Sequence, residues 1–235
     1  MNNGKYQNTT AVLVHAAWAD GSSWDKVTAS LKNLGLRVKS AQIPLSSLSE
    51  DVAALKRLLR QVDGPAVLVG HSYAGAVITA AGADDPQVKA LVYIAAIAPD
   101  EGETVGELFH RAEPNPNTRP QLAPDPDGFL WLPAGGFADA VAPDAPKEEA
   151  ALMQINQHPI ALKCLGEPMT KPAWKQKPSW FLVAEKDRMI SAAMQHFMAE
   201  RIKARVHLGN TDHTPLASDP EAVVRVITEA AATVV

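Results

Sequence analysis

The sequence has little of several features that would place a protein in a specialised class. It holds one cysteine, Cys164, among its 235 residues, so no disulfide can form within the chain and a packed thiol is expected. It has no basic block, because 22 Lys and Arg residues stand against 26 Asp and Glu residues for a net charge of −4. This balance argues against nucleic acid as a partner.

Long apolar runs are also missing. The longest uninterrupted run, ALVYIAAIA, is too short to span a bilayer. The polar opening, MNNGKYQNTT, lacks the basic and apolar regions of a secretion signal. We therefore expect no membrane partner and a cytoplasmic location.

Short runs rich in Val, Ile and Leu alternate along the chain with segments of helical period. The spacing of Trp24, Val27 and Leu31 predicts a helix that Ser22 or Ser23 can cap, and Ser47 with Glu50 predicts a capping box. Alternating strands and helices favour a mainly parallel sheet of about six strands with helices on both faces, an α/β fold. The predicted strands are residues 11–15, 37–43, 66–69, 90–95, 180–184 and 204–208.

The alternation fails between residues 99 and 178. This region carries the proline-rich stretch EPNPNTRPQLAPDPDG, which cannot continue a helix or a ladder, and then aromatic residues and the helical segment EEAALMQI. We interpret residues 99–178 as a helical cap inserted into a core made of residues 1–98 and 179–235.

The stretch VGHSYAG places Ser72 at the end of an apolar strand among the small residues Gly70, Ala74 and Gly75. Small neighbours allow a strand to turn at once into a helix and to present a side chain at the tip of the turn. The stretch resembles the nucleophile elbow of the α/β-hydrolase family. A phosphate-loop interpretation fails because Ala76 and Val77, and not Lys and Ser or Thr, follow Gly75.

That resemblance implies an acid and a histidine after two later strands, and the chain has Asp187 and His213 in those places. The sequence also offers rivals. His71 and His207 compete with His213, whereas Asp212 and Glu185 compete with Asp187, and adjacency to His213 disfavours Asp212. No metal spacing is found around the remaining histidines, which are His15, His110, His158 and His196.

The segment His15-Ala16-Ala17-Trp18 is similar to the HGxW segment of the same family, with Ala16 where many members have glycine. The resemblance implies that the backbone N–H groups of Ala17 and Tyr73 form an oxyanion hole. Tryptophans near this segment can line a pocket or simply pack in the core. The candidate pocket residues are Trp18, Phe129, Trp131, Phe137 and Met153.

Together these residues predict a serine esterase that uses Ser72, His213 and Asp187, needs no cofactor or metal, and cleaves a small or medium carboxylic ester. The opening VLVHAAWADGSSW also resembles the subgroup of methylesterases and hydroxynitrile lyases. The lyases of that subgroup have lysine after the histidine, where this chain has Thr214. Lyase or other cofactor-free chemistry and a receptor-like ligand-binding role stay open as alternatives, as does a homodimer.

Overall fold

A computed structural model describes Tyr6, residues 8–111 and residues 120–234. Six strands form one parallel sheet in the order β2-β1-β3-β4-β7-β8, and β5 and β6 form a separate antiparallel pair. The six-stranded parallel sheet confirms the predicted fold class. The strands are β1 Thr10–Val14, β2 Arg37–Ala41, β3 Ala66–His71, β4 Val88–Ile94, β5 Phe129–Leu130, β6 Ile160–Ala161, β7 Ser179–Ala184 and β8 Arg205–Gly209.

Helices cover both faces of the six-stranded sheet. The α-helices are α1 Asp25–Asn33, α2 Leu48–Leu59, α3 Ala74–Ala81, α4 Val105–Arg111, α5 Lys147–Ile155, α6 Lys163–Gly166, α7 Ala192–Arg201, α8 Pro215–Ser218 and α9 Pro220–Ala232. A 3₁₀ turn at Gly21–Trp24 leads into α1, a second lies at Ala173–Lys175, and a π-helical turn lies at Phe137–Val141. Among the helices described, none is long and apolar enough to cross a bilayer.

Successive side chains of the central strands enter two different cores. On β3, Val67 and Val69 pack in the layer that holds α1 and α9, whereas Leu68 packs in the layer that holds α2, α3 and α7. This follows from the strand period of two. Every residue of β1, β3 and β7 is buried. Burial on both faces explains why these strands appear in the sequence as nearly continuous apolar runs.

The caps differ in detail from the sequence prediction. The Ser47 hydroxyl accepts from the Glu50 amide at 3.2 Å, as expected, but the Glu50 carboxylate accepts from the Ser46 hydroxyl and does not complete a capping box. The expected serine cap before α1 is wrong. Asp20 caps the 3₁₀ turn instead, because its carboxylate accepts from the Ser22 amide at 2.8 Å.

The segment between β4 and β7 contains α4, β5, α5, β6 and α6. Residues 112–119, which carry much of the proline-rich stretch predicted as a loop, lie outside the described residues. The segment contacts the core through backbone hydrogen bonds such as Ala161 N–H to the Leu45 carbonyl at 2.8 Å. Leu45 follows β2, so this contact places the segment beside the carboxyl edge of the sheet.

The strand order reverses at β1, which lies between β2 and β3. Crevices of open α/β sheets form at the carboxyl ends of strands at such a point. The turn after β3 lies at this edge and is tightly packed. A Cβ at Gly75 would lie 2.3 Å from the Ile97 carbonyl oxygen, and one at Gly70 would lie 2.7 Å from the Ala74 carbonyl oxygen. Both positions therefore require glycine.

We predict that Gly75→Ala lowers the free energy of unfolding by about 2–3 kcal/mol, because the new methyl meets backbone atoms that cannot rotate away. Gly166→Ala is the matched control, since nothing lies within 4 Å of a Cβ there, and it should change stability by less than about 0.5 kcal/mol. Urea unfolding of the two variants beside wild type checks this. Equal stability of both variants would contradict the packing argument.

Candidate active site

Ser72 lies at the tip of the turn between β3 and α3 and has a φ of +55°. This left-handed backbone is uncommon for a residue with a side chain and must be held by its surroundings. The Ser72 amide donates to the Ile94 carbonyl at 3.1 Å, and its own carbonyl accepts from the Gly75 and Ile97 amides at 3.0 Å each. The strand, the helix and the segment after β4 thus fix the hydroxyl together.

The structure brings Ser72, His213 and Asp187 into one hydrogen-bonded line. His213 Nε2 lies 2.8 Å from Ser72 Oγ, and His213 Nδ1 lies 2.7 Å from Asp187 Oδ2. A carboxylate only accepts, so Nδ1 carries the proton and Nε2 is free to accept from the serine hydroxyl. All three residues are buried. The loops after β3, β7 and β8 supply one residue each.

Three donors orient the Asp187 carboxylate besides His213. The amides of Met189 and Ile190 donate to Oδ1 at 2.7 and 2.9 Å, and the Gln195 side-chain amide donates to Oδ2 at 2.8 Å. Gln195 is completely buried on α7, and its Oε1 accepts from the Ala184 amide at 3.0 Å. Sequence reasoning missed Gln195, because a glutamine on a helix gives no local sign that it faces inward.

Three of the rival residues have other partners. Asp212 is buried, and its carboxylate accepts from the Thr214 and Asp144 amides at 3.0 and 2.8 Å. Glu185 forms a surface pair with His196 at 2.8 Å. His207 lies on β8 and contacts Glu229 at 3.0 Å. None of these three rival side chains is hydrogen-bonded to His213 or Ser72 in the part of the chain that the structure describes.

His71, the fourth rival, supports the loop that carries His213. Its Nε2–H donates to the His213 carbonyl at 2.7 Å. Burial, reinforced by the neighbouring His213, lowers the pKa of His71 to about 3. The imidazole therefore stays neutral at physiological pH and serves as a fixed hydrogen-bond donor.

The candidate oxyanion groups lie on either side of Ser72. Neither the Ala17 amide nor the Tyr73 amide donates to another described residue, so both are available to a ligand. Trp18 has a φ of +58°, and its indole N–H donates to the Leu130 carbonyl at 2.9 Å. This bond joins the loop after β1 to β5, which lies in the segment between β4 and β7.

His15 also stabilises the loop after β1 through two hydrogen bonds. Its Nε2 accepts from the Ile43 amide at 3.1 Å, which leaves Nδ1–H to donate to the Ala16 carbonyl at 3.0 Å. Burial lowers the pKa of His15, so the neutral form that this geometry needs is favoured. Both ring nitrogens of His15 are therefore hydrogen-bonded to backbone groups, which is typical of a structural histidine.

A buried carboxylate, Asp51, holds the other candidate oxyanion residue. Its Oδ2 accepts from the Tyr73 hydroxyl at 2.6 Å, and its Oδ1 accepts from the Leu45 amide at 2.7 Å. The Cys164 thiol lies 3.7 Å from Oδ2. Burial raises the pKa of Asp51 from 3.8 to about 6. Sequence reasoning missed this residue, because it sits within an ordinary amphipathic helix.

Two cavities adjoin Ser72 and His213. The larger has a volume of about 300 Å³, and His213, Trp18, Phe137 and Met153 line it. The smaller has a volume of about 30 Å³ and is lined by Ser72 together with Tyr73, Ala17 and Trp18. Three of the five predicted pocket residues, Trp18, Phe137 and Met153, thus line a cavity at this edge.

The other two predicted pocket residues, Phe129 and Trp131, have different surroundings. Neither lines the two cavities just described. Trp131 is 47% exposed, and its indole N–H donates to Asp125 at 2.9 Å. Phe129 packs against the core from β5.

Within the described residues, no group of three or more His, Cys, Asp or Glu side chains could hold a metal ion. The described chemistry at this edge is that of a serine, a histidine and a carboxylate in hydrogen-bond contact.

The chain belongs to the alpha/beta hydrolase family, whose sequence profile matches residues 11–226. This confirms the family resemblance seen in the sequence. Among named relatives, an alpha/beta hydrolase of Aspergillus novofumigatus, nvfD, is 27% identical over an alignment of 208 residues that covers 82% of this chain and 81% of that protein.

Two further comparisons involve esterases. A carbendazim hydrolyzing esterase of Nocardioides sp. is 34% identical over an alignment of 118 residues that covers 44% of this chain and 48% of that protein. A methylesterase of Arabidopsis has a solved structure that matches with a TM-score of 0.80 at 18% identity and covers 96% of this chain and 99% of that one. The latter match shows a shared fold.

We predict that ionisation of Asp51 destabilises the folded protein. The pKa in the folded state lies above that of the unfolded chain, so the folded state retains the proton longer and stability falls as the pH rises from about 4 to 6. Asp51→Asn should remove this part of the pH dependence, which we expect to be about 1–3 kcal/mol. Urea unfolding at pH 4, 5, 6 and 7 measures it.

The side-chain amide that this substitution introduces can still bond both Leu45 and Tyr73, so the fold should be retained. Glu200→Gln, at an exposed position of α7, is the control and should leave the pH dependence of stability as it is in wild type. Parallel curves for wild type and Asp51→Asn would contradict the prediction.

Proposed function

We propose that the chain is a carboxylic ester hydrolase that works through an acyl-enzyme on Ser72. The observation that carries this proposal is the unbroken line from Ser72 Oγ through His213 to Asp187, with separations of 2.8 and 2.7 Å. A serine next to a histidine that is oriented by a carboxylate is the arrangement that activates a hydroxyl for attack on a carbonyl.

In the first half of the reaction Ser72 Oγ attacks the ester carbonyl carbon while His213 Nε2 takes the hydroxyl proton. The tetrahedral intermediate then expels the alcohol, which takes that proton from His213, and the acyl group remains on Ser72. Water then attacks the acyl carbonyl while His213 takes its proton; the bond from the acyl carbon to Ser72 Oγ breaks, Oγ takes the proton back from His213, and the acid leaves. Asp187 holds the imidazole in the required tautomer and stabilises its protonated form.

The developing oxyanion would be bound by the Ala17 and Tyr73 amides, which have no acceptor among the described residues. Removal of one such donor in comparable sites costs about 3–4 kcal/mol of transition-state stabilisation. His15 and Asp51 act on these two residues as positioning residues, one through the Ala16 carbonyl and the other through the Tyr73 hydroxyl.

The segment of residues 99–178 would act as a cap over this edge, on a core formed by residues 1–98 and 179–235. The contacts of Trp18 with Leu130 and of Asp212 with Asp144 support this division, because both join the core's catalytic loops to the segment. The carbendazim hydrolyzing esterase among the relatives supports ester-like substrates. The mechanism calls for no cofactor.

Hydroxynitrile lyase chemistry is the alternative to compare. Lyases of this subgroup resemble the chain but have lysine where Thr214 stands. The Thr214 hydroxyl lies 3.2 Å from Asp212 Oδ1 and 3.4 Å from the Val141 carbonyl, so it is engaged in holding the loop. Hydrolysis therefore fits this site better than cyanohydrin cleavage.

We predict that Ser72→Ala lowers kcat for p-nitrophenyl acetate by about 10⁴-fold or more, because the nucleophile is lost. Asp187→Asn should lower kcat by about 10⁴-fold through the wrong histidine tautomer. Ser30→Ala and Glu185→Gln are the controls, since Ser30 bonds only its own helix and Glu185 pairs with surface His196. Both controls should keep wild-type rates over many turnovers.

A Ser72→Ala variant that hydrolyses p-nitrophenyl acetate as fast as wild type would contradict the proposal. If wild type acylates once and then stops, a receptor-like role is favoured instead. Release of cyanide from mandelonitrile that depends on Ser72 and exceeds ester hydrolysis would favour the lyase alternative.

A further inference from the structure

The two cavities at this edge, one lined by Ser72 and the other by His213, differ tenfold in volume, at about 30 and about 300 Å³. A volume of about 30 Å³ gives the smaller cavity room for about two water molecules, or for a group of methyl or ethyl size. The larger is of the size that holds a drug-like ligand. Ala17 and Trp18 line both and so mark the boundary between them.

The side on which each half of an ester must lie follows from the proton transfers. His213 gives its proton to the leaving alcohol, so the alcohol must lie on the side of the imidazole. His213 and Thr214 line the larger cavity and, among the described residues, are absent from the wall of the smaller one. The larger cavity is therefore the place of the alcohol.

The acyl group must then extend from the carbonyl carbon on the side of Ser72 and the two oxyanion amides. Ser72, Tyr73 and Ala17 all line the smaller cavity. Its remaining wall is apolar and consists of Ile97, Val105, Phe109, Leu122, Ile160, Leu165 and Ile190. A carboxylic acid with a long or branched chain does not fit this space.

We propose that the substrate is an ester of a short-chain acid, of acetate size, with a bulky and largely apolar alcohol. This inference rests on the proposed esterase function and specifies its substrate class. It is the reverse of a methyl ester, in which the acid is large and the alcohol small.

The wall of the larger cavity indicates the character of the alcohol. Trp18, Phe137, Leu152 and Met153 offer apolar surface. Lys26 and Glu149 also line it and form an ion pair at 2.6 Å that joins α1 to α5. An alcohol with an apolar body and a hydrogen-bonding group at one end matches such a wall.

Two isomeric esters test the assignment directly. Phenethyl acetate has a small acid and a bulky alcohol, whereas ethyl phenylacetate has the same atoms with the sizes exchanged. Both leaving groups are primary alcohols, so they differ little in acidity. We expect wild type to prefer phenethyl acetate by at least about tenfold in kcat/KM, since a surplus methylene in a closed pocket already costs about that much.

Three leucine variants locate the selectivity. Leu165→Ala enlarges the smaller cavity and should narrow the preference for p-nitrophenyl acetate over p-nitrophenyl butyrate. Leu162→Ala is the matched control, because this leucine is close by in the chain, 49% exposed and outside both walls. Leu152→Ala alters the larger cavity and should change alcohol preference without a change in acyl preference.

The outcomes distinguish the proposed substrate class from the proposed esterase function. Faster hydrolysis of ethyl phenylacetate than of phenethyl acetate, with both reactions dependent on Ser72, would overturn the substrate class but leave the esterase function standing. If neither ester nor p-nitrophenyl acetate is hydrolysed faster by wild type than by Ser72→Ala, the esterase function fails and the substrate class fails with it.

Discussion

The close contact of backbone against backbone at the turn after β3 is the constraint on which the site depends. Gly75 lies against the Ile97 carbonyl, and Ser72 exchanges hydrogen bonds with the strand beside it, the helix after it and the segment beyond β4. These contacts keep Ser72 in a left-handed conformation that it would not adopt by itself. The hydroxyl can reach His213 only while the turn is held there.

Buried polar groups orient the residues that surround this turn. Gln195 and two backbone amides orient Asp187, whereas Asp51 links the Tyr73 hydroxyl to the Leu45 amide. A buried polar group without a partner is costly, so each of these groups strongly favours the one arrangement that satisfies it. The loops at the sheet edge are thereby held as firmly as regular secondary structure.

The segment between β4 and β7 is hydrogen-bonded to loops at this edge of the sheet. The Trp18 indole reaches the Leu130 carbonyl, and the Leu45 carbonyl accepts from the Ala161 amide. Both bonds join the segment to loops that hold candidate oxyanion residues. Residues of this segment also line both cavities, among them Phe137 and Met153 in the larger and Leu122 and Ile160 in the smaller.

The sequence by itself determined the parallel α/β architecture and the turn that carries Ser72, because strand periodicity and a turn that needs small residues are local properties. Asp187 and His213 followed from the resemblance of that turn to the nucleophile elbow of the hydrolase family. Only the tertiary structure decided that Asp187, and not Asp212, meets His213, and that Gln195 and Asp51 are buried supports. It also placed Trp131 outside the described cavities. Such facts depend on contacts between residues far apart in the chain, which no local pattern encodes.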